Sequence, residues 1–221
     1  IGAGPGDPGL ITYKGLQILK SCDAVIYDRL GTGELLELVR SDCTKIYVGK
    51  QAGAHYKKQE EINRILVETA GKYEKVVRLK GGDSFVFGRG GEEILTLQEA
   101  DIPFQVIPGV TSAIAVPEVL GIPVTHREMS RSFHVITGHT KKGEADALAN
   151  IHKQEGTSVC LMGLSNLEPI MQRLREEGES EETPVSVISN GMLPGETIVR
   201  GTVGTIGKLV SKNELVSPVI I

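Results

Sequence analysis

Tryptophan is absent from this chain, and only four phenylalanines and five tyrosines occur among its 221 residues. So thin an aromatic content offers no platform for stacked bases, which argues against a nucleic-acid partner. Cysteine is scarce as well. Cys22, Cys43 and Cys160 form no Cys-x-x-Cys pair, so neither a disulfide framework nor a zinc knuckle follows. Their odd number and wide spacing point to free thiols in a reducing cytoplasm. His55, His126, His134, His139 and His152 lack metal-ligand spacing on a common helix, and no metal is expected. No apolar run approaches the ~18 residues of a membrane span. No signal-like segment precedes the glycine-rich opening. An excess of positive charge is missing too: 24 Lys and Arg against 28 Asp and Glu leave a formal −4. An acidic partner therefore needs a local basic pocket.

What the chain does hold is 27 glycines and 40% hydrophobic residues, the balance of a globular protein and not of a disordered one. It opens on Ile1-Gly2, where a strand should already be under way, and stops within another at Val219 to Ile221, as a trimmed chain would. Between them, short apolar runs alternate with helical spacing. Strands are expected at Asp23 to Tyr27, Lys45 to Val48, Val76 to Leu79 and Phe104 to Ile107. Helices are expected over Thr12 to Ser21, Leu35 to Val39, Gln59 to Ala70, Glu92 to Ala100 and Ser112 to Leu120. Near-continuous apolar strands joined by helices indicate a mainly parallel sheet covered on both faces. Ligands of such sheets bind beyond the carboxyl ends of the strands.

A second unit starts near residue 129, after a Pro- and Gly-containing joint at Gly121 to Arg127. Its expected strands are Phe133 to Thr137, Ser158 to Met162, Val185 to Ser189, Thr197 to Arg200 and Val219 to Ile221, with helices over Ala145 to Gln154 and Leu167 to Glu177. A hairpin at Thr197 to Thr202 makes this half mixed α/β. The domains read as 1–128 and 129–221.

Three loops end first-half strands. Gly4-Pro5-Gly6-Asp7-Pro8-Gly9 satisfies G-x-G-x-x-G literally, and Asp28 stands where a ribose-binding acid would. Dinucleotide sites, however, hold pyrophosphate on successive backbone N–H groups at a helix start. Pro5 and Pro8 have none to give. The loop suits a ligand without phosphates, or is a plain strand-to-helix turn. Lys80 to Glu93 carries five glycines in fourteen residues, and Asp83 within it offers a carboxylate to hydroxyls or a cation. Pro108-Gly109-Val110-Thr111-Ser112 can cap the next helix, contact a ligand, or both. Asp28 with Arg29, and Lys50, close two more strands as surface ion pairs or as groups poised for proton transfer. From His126 to Gly143 the formal charge is +3, from Arg127, Arg131, Lys141 and Lys142 against Glu128. That is either a solvated face or a cradle for a polycarboxylate, which arginine grips bidentately. Met162-Gly163 and Asn190-Gly191 end later strands, and a methionine there is an adaptable surface for a flat purine.

In order along nearly the whole chain, Gly2-Ala-Gly-Pro-Gly-Asp7, Val25-Ile-Tyr-Asp-Arg-Leu30, Val48-Gly-Lys50, Arg78-Leu-Lys-Gly-Gly-Asp83, Phe87-Gly-Arg-Gly-Gly-Glu-Glu93, Pro108-Gly-Val-Thr111, Gly121-Ile-Pro-Val-Thr-His-Arg127, Thr137-Gly-His139 and Met162-Gly163 resemble the tetrapyrrole methylase family. The resemblance implies a homodimer of two-domain α/β subunits, with a mainly parallel N-terminal sheet domain, a mixed C-terminal domain and an active-site cleft between them. It implies binding of S-adenosylmethionine (SAM), with S-adenosylhomocysteine as product, through Pro5, Gly81, Gly82, Asp83, Val86, Thr111, Ser112, Met162 and Gly191. The proton acceptor matches Asp28 and the proton donor Lys50. Arg29, Arg89, His126 and Arg127 fall where substrate carboxylates are expected. The most specific stretches imply methylation of uroporphyrinogen III, with no metal. A later precorrin as substrate, or a non-catalytic SAM- or tetrapyrrole-binding module, are the other readings. Three positions depart from the family pattern: Ser84 replaces a usual Pro, Ser112 a common Ala, and Leu161 a frequent Tyr.

Overall fold

Ala24 to Tyr27 is apolar throughout, the run of a strand buried on both faces. It forms β1 (Ala24–Tyr27) in the structure, a computed structural model that describes residues 1–30, 33–49, 58–138 and 155–221. β2 (Thr44–Tyr47) and β3 (Val76–Leu79) lie parallel on either side, with Ile26 opposite both Ile46 and Arg78. Successive residues of β1 serve opposite faces. Val25 packs with Leu19 of α1 (Tyr13–Ser21), whereas Ile26 packs with Leu66 of α2 (Gln59–Ala70). Thr12 caps α1, its Oγ1 accepting from the Gly15 N–H at 3.2 Å. α3 (Gly90–Glu99) follows, entered through Arg89 in the left-handed region. Leu35 to Val39 shortens to one 3-10 turn, Glu34–Glu37.

Beyond β3 the sheet continues as single hydrogen bonds. Ala3 N–H donates to Lys80 O at 2.7 Å, and Gly2 N–H to Ile107 O at 3.0 Å. The strand expected at Phe104 to Ile107 does not form. Pro103 and Pro108 bracket it without N–H donors, and Phe104 and Val106 are exposed, so Ile107 alone is buried to hold the run.

Cys22 and Cys43, far apart in sequence, meet in the core beneath α1 with their sulfurs 3.6 Å apart, both as free thiols. Burial, then the hydrogen bond with Cys43, pushes the Cys22 thiol up to about 12.

The chain divides into two compact units, Ile1–Ser112 and Ala113–Ile221. In the second, β4 (Phe133–Thr137), β5 (Thr157–Leu161), β6 (Pro184–Ser189), β7 (Thr197–Thr202) and β8 (Val219–Ile220) form one sheet in the order β4-β5-β8-β6-β7. β4 and β5 are parallel, and β8 runs against both neighbours. Thr197 to Thr202, expected to hold a hairpin, is instead one strand that pairs antiparallel with β6. α5 (Leu167–Glu176) and the unanticipated α6 (Ile206–Ser211) cover one face through Met171, Ile206 and Val210. Ala113 and Val116 of α4 (Ser112–Val119) pack with Val159, Ile188 and Ile220. Leu120, Ile122 and Val124 join that cluster, so the segment read from the sequence as the end of the first half packs with the second. The helix expected over 145–154 lies outside the described residues. Among the described residues, no helix is long and apolar enough to cross a membrane.

Candidate active site

Three loops meet at the carboxyl edge of the first sheet because glycine leaves their backbones bare. Gly82 N–H donates to Gly4 O at 2.7 Å, and Gly4 N–H returns to Gly82 O at 3.2 Å. A Cβ built on Gly109 would stand 2.3 Å from Gly82 O, and one on Gly2 only 2.5 Å from Gly109 Cα. Thr111 and Ser112, both half-buried, follow at once; their backbone lies 3.8 to 3.9 Å from where a Gly82 Cβ would sit. Pro5 is buried, and the Asp7 carboxylate accepts from Gly9 N–H at 2.7 Å to cap the short 3-10 turn Pro8–Leu10. The first loop is therefore stiff and poor in donors. It suits a ligand held by shape and backbone contact more than a diphosphate.

Asp83 has a structural task beside the one its sequence position suggests. Its Oδ1 accepts from Phe85 N–H at 2.8 Å and its Oδ2 from Gly109 N–H at 3.0 Å. The carboxylate thus ties the Gly81–Gly82 turn to the Pro108 loop, and any ligand hydroxyl would use its remaining lone pairs.

Asp28 leaves the end of β1, and its turn reaches the same place: a Cβ on Gly81 would lie 2.6 Å from Leu30 O. Asp28 Oδ2 accepts from Arg78 Nη2 at 3.2 Å. Arg78 Nε in turn donates to Glu93 Oε1 at 3.0 Å, and Lys80 Nζ to that same oxygen at 2.9 Å. Burial, and then the Arg78 charge, lower the Lys80 ammonium below the usual lysine range, against an upward pull from Glu93. Sequence reasoning missed Arg78, Lys80 and Glu93. The signal was there: cations interrupting a buried strand, followed by a glutamate pair on the next helix. Lys50 lies outside the described residues.

The glycine-rich loop after Asp83 winds tightly. Gly90 N–H donates to Ser84 O at 2.9 Å, and Phe87 (φ 53°) and Arg89 (φ 56°) are both left-handed. Val86 is half-buried between two exposed phenylalanines, Phe85 and Phe87. Arg89 grips Glu92 bidentately through Nε and Nη2, at 2.7 and 2.6 Å, so a substrate carboxylate there would meet its other N–H groups or compete with Glu92. Arg29 is exposed. His126 anchors a turn, its N–H donating to Ser130 O at 2.7 Å and its Nδ1 accepting from Glu128 N–H at 3.3 Å. Arg127 is exposed on that turn.

Ser84 is 5% exposed, and its hydroxyl has no partner among the described residues. Ser84→Ala removes a desolvated group without breaking a bond, so it is expected to stabilise the fold by about 1 kcal/mol. Thermal unfolding checks this as a Tm rise of roughly 2–4 °C.

In the second unit, β5 and β6 both run against β8 and so leave the sheet at one edge. Met162 follows β5 with φ 57° and is 51% exposed. Gly138 and Gly163 pack backbone to backbone beneath it; a Cβ on Gly138 would lie 2.4 Å from Gly163 Cα. Past β6, Asn190 (φ 50°) and Met192 (φ 62°) flank Gly191, whose Cβ would meet Val116 of α4 at 2.3 Å. The residues singled out from the sequence thus fall into two groups. Pro5, Asp28, Gly81, Gly82, Asp83, Thr111 and Ser112 gather in the first unit, while Met162 and Gly191 share one sheet edge in the second.

The description Tetrapyrrole (Corrin/Porphyrin) Methylases belongs to the family model that matches residues 1–207. The uroporphyrinogen-III C-methyltransferase of Methanocaldococcus jannaschii is 51% identical over 223 residues, covering 100% of this chain and 92% of that protein. A siroheme synthase of Escherichia fergusonii is 46% identical over the whole chain, which spans 48% of that longer protein. Among solved structures, the uroporphyrin-III C-methyltransferase of Thermus thermophilus complexed with S-adenosylhomocysteine superposes with a TM-score of 0.84. It is 36% identical, and the match covers 100% of this chain and 93% of that one.

Proposed function

The chain belongs to the tetrapyrrole methylase family, and on that premise we propose that it transfers two methyl groups from SAM to uroporphyrinogen III, giving precorrin-2 by way of precorrin-1 for siroheme or cobalamin synthesis. The observation that carries this reading is the 51% identity, end to end, to a protein named for that reaction. The S-adenosylhomocysteine held by the Thermus relative supports SAM as the donor.

The residues present fit such a donor. When bound, it supplies a methyl made electrophilic by its sulfonium. The Gly81–Gly82 turn, tied down by Asp83, offers bare backbone beside the backbone of Thr111 and Ser112. Pro5 and Val86 add apolar walls, and the family resemblance assigns Met162 and Gly191 to the same donor. The reduced macrocycle is already a carbon nucleophile. The chain's contribution is alignment, bringing carbon and methyl to the roughly 3–3.5 Å of near attack. Methylation leaves the macrocycle cationic, and a proton must then depart. Asp28 accepts it, and Lys50 returns a proton where the rearranging bonds require one. Arg29, Arg89, His126 and Arg127 hold substrate carboxylates. The enzyme acts as a homodimer in the cytoplasm, a compartment that suits three free cysteines.

An anaerobic assay with uroporphyrinogen III and methyl-labelled SAM tests this. The expected product carries two labelled methyl groups by mass. Label appearing only on a later precorrin would reassign the substrate. SAM binding without transfer to any tetrapyrrole would leave a binding module in place of an enzyme.

A further inference from the structure

Glu93 has no part in the roles above, yet it joins two cations in the first unit. Its side chain is 5% exposed on the first turn of α3, and one oxygen, Oε1, takes both Arg78 Nε at 3.0 Å and Lys80 Nζ at 2.9 Å. The guanidinium is a rigid planar fork. Glu93 fixes its Nε, and Leu79 O accepts from its Nη1 at 3.0 Å. With those two directions set, the plane leaves Nη2 aimed at Asp28 Oδ2, 3.2 Å away. We propose that Glu93 is a positioning residue for methyl transfer: it locks the Arg78 guanidinium, which sets where the Asp28 carboxylate stands at the end of β1. Lys80 completes the balance, two cations against two carboxylates, so that no charge in this partly buried group lacks a counter-charge. α3 begins where the glycine-rich loop ends, so the same helix that closes the loop carries the residue that sets Asp28.

The inference rests on Asp28 as proton acceptor, and its test separates the two ideas. Glu93→Asp keeps the charge and draws the carboxylate back by one methylene, so it cannot hold both Arg78 and Lys80 at hydrogen-bonding distance. It is expected to lower kcat about tenfold while KM for SAM stays within about twofold. In an Asp28→Asn background, measured in single turnovers with labelled SAM, the same change should cost less than about twofold. A merely structural ion pair would cost the same in both backgrounds. Equal losses, or no loss at all, therefore overturn the proposal. Should Glu93→Asp not fold, Arg78→Lys carries the same cycle, because a point charge cannot reproduce the fork. Wild-type protein that leaves uroporphyrinogen III unmethylated overturns the proposed function and this inference together. Wild-type turnover with equal losses overturns the inference alone.

Discussion

Asp28→Asn is expected to lower kcat for methyl transfer by roughly 10²–10⁴-fold, the span over which a positioned general base acts. Asparagine keeps the size of the side chain and an oxygen that can still accept from Arg78, and it removes only the capacity to take a proton. The carboxylate is 30% exposed at the end of β1, with one oxygen on Arg78 at 3.2 Å, so it is anchored and still reachable. Because Asp28 is not among the residues assigned to SAM, the KM for SAM should stay within about twofold, the pattern of an interaction made in the transition state and not on binding. Steady-state kinetics under anaerobic conditions give both constants. Unaltered kcat would remove Asp28 from the proton path, and a raised KM with kcat intact would make it a binding residue.

Whatever depended on neighbours in sequence was legible before the structure. The expected strands became β1 to β8 to within a residue or two, the run at Phe104 to Ile107 apart, and α2 occupies the very span its Ile62, Ile65 and Leu66 spacing marked. The glycine loops were readable as places of close backbone approach. What escaped depended on partners far along the chain. Phe104 to Ile107 has the composition of a strand, but whether its two flanking prolines spoil the ladder depends on which donors a neighbour needs. α6 is six residues long and contains Gly207, too little for periodicity to register. Asp83 looked like a ligand group because nothing in its surroundings shows that Gly109, 26 residues on, would claim one of its oxygens. Glu93 was hidden in the same way: Arg78 lies 15 residues before it, and nothing in the sequence says which carboxylate that buried cation meets. Cys22 and Cys43 repeat the lesson in the core.

Gly109→Ala is expected to do the most damage of any single methyl group added to the first unit. The new Cβ would stand 2.3 Å from Gly82 O, 2.6 Å from Gly2 Cα and 2.7 Å from Gly2 C. All three are backbone atoms in hydrogen-bonded loops, so no side chain can swing aside. The Pro108 loop must move away instead. That stretches the Asp83 bond to Gly109 N–H and carries Thr111 and Ser112 off the Gly82 turn. Overpacking of this kind costs about 1–3 kcal/mol of stability. A shift of the order of 1 Å in a positioning loop lowers turnover about 100-fold. Calorimetric titration with S-adenosylhomocysteine should show weakened binding alongside a lowered Tm. Gly91→Ala is the control: nothing lies within 4 Å of its Cβ, it sits inside α3, and alanine there should add up to about 1 kcal/mol without touching ligand affinity. The two variants differ in where the methyl group points, not in its size. Equal affinity in both would mean that the junction of Gly2, Gly82 and Gly109 does not form the donor's seat.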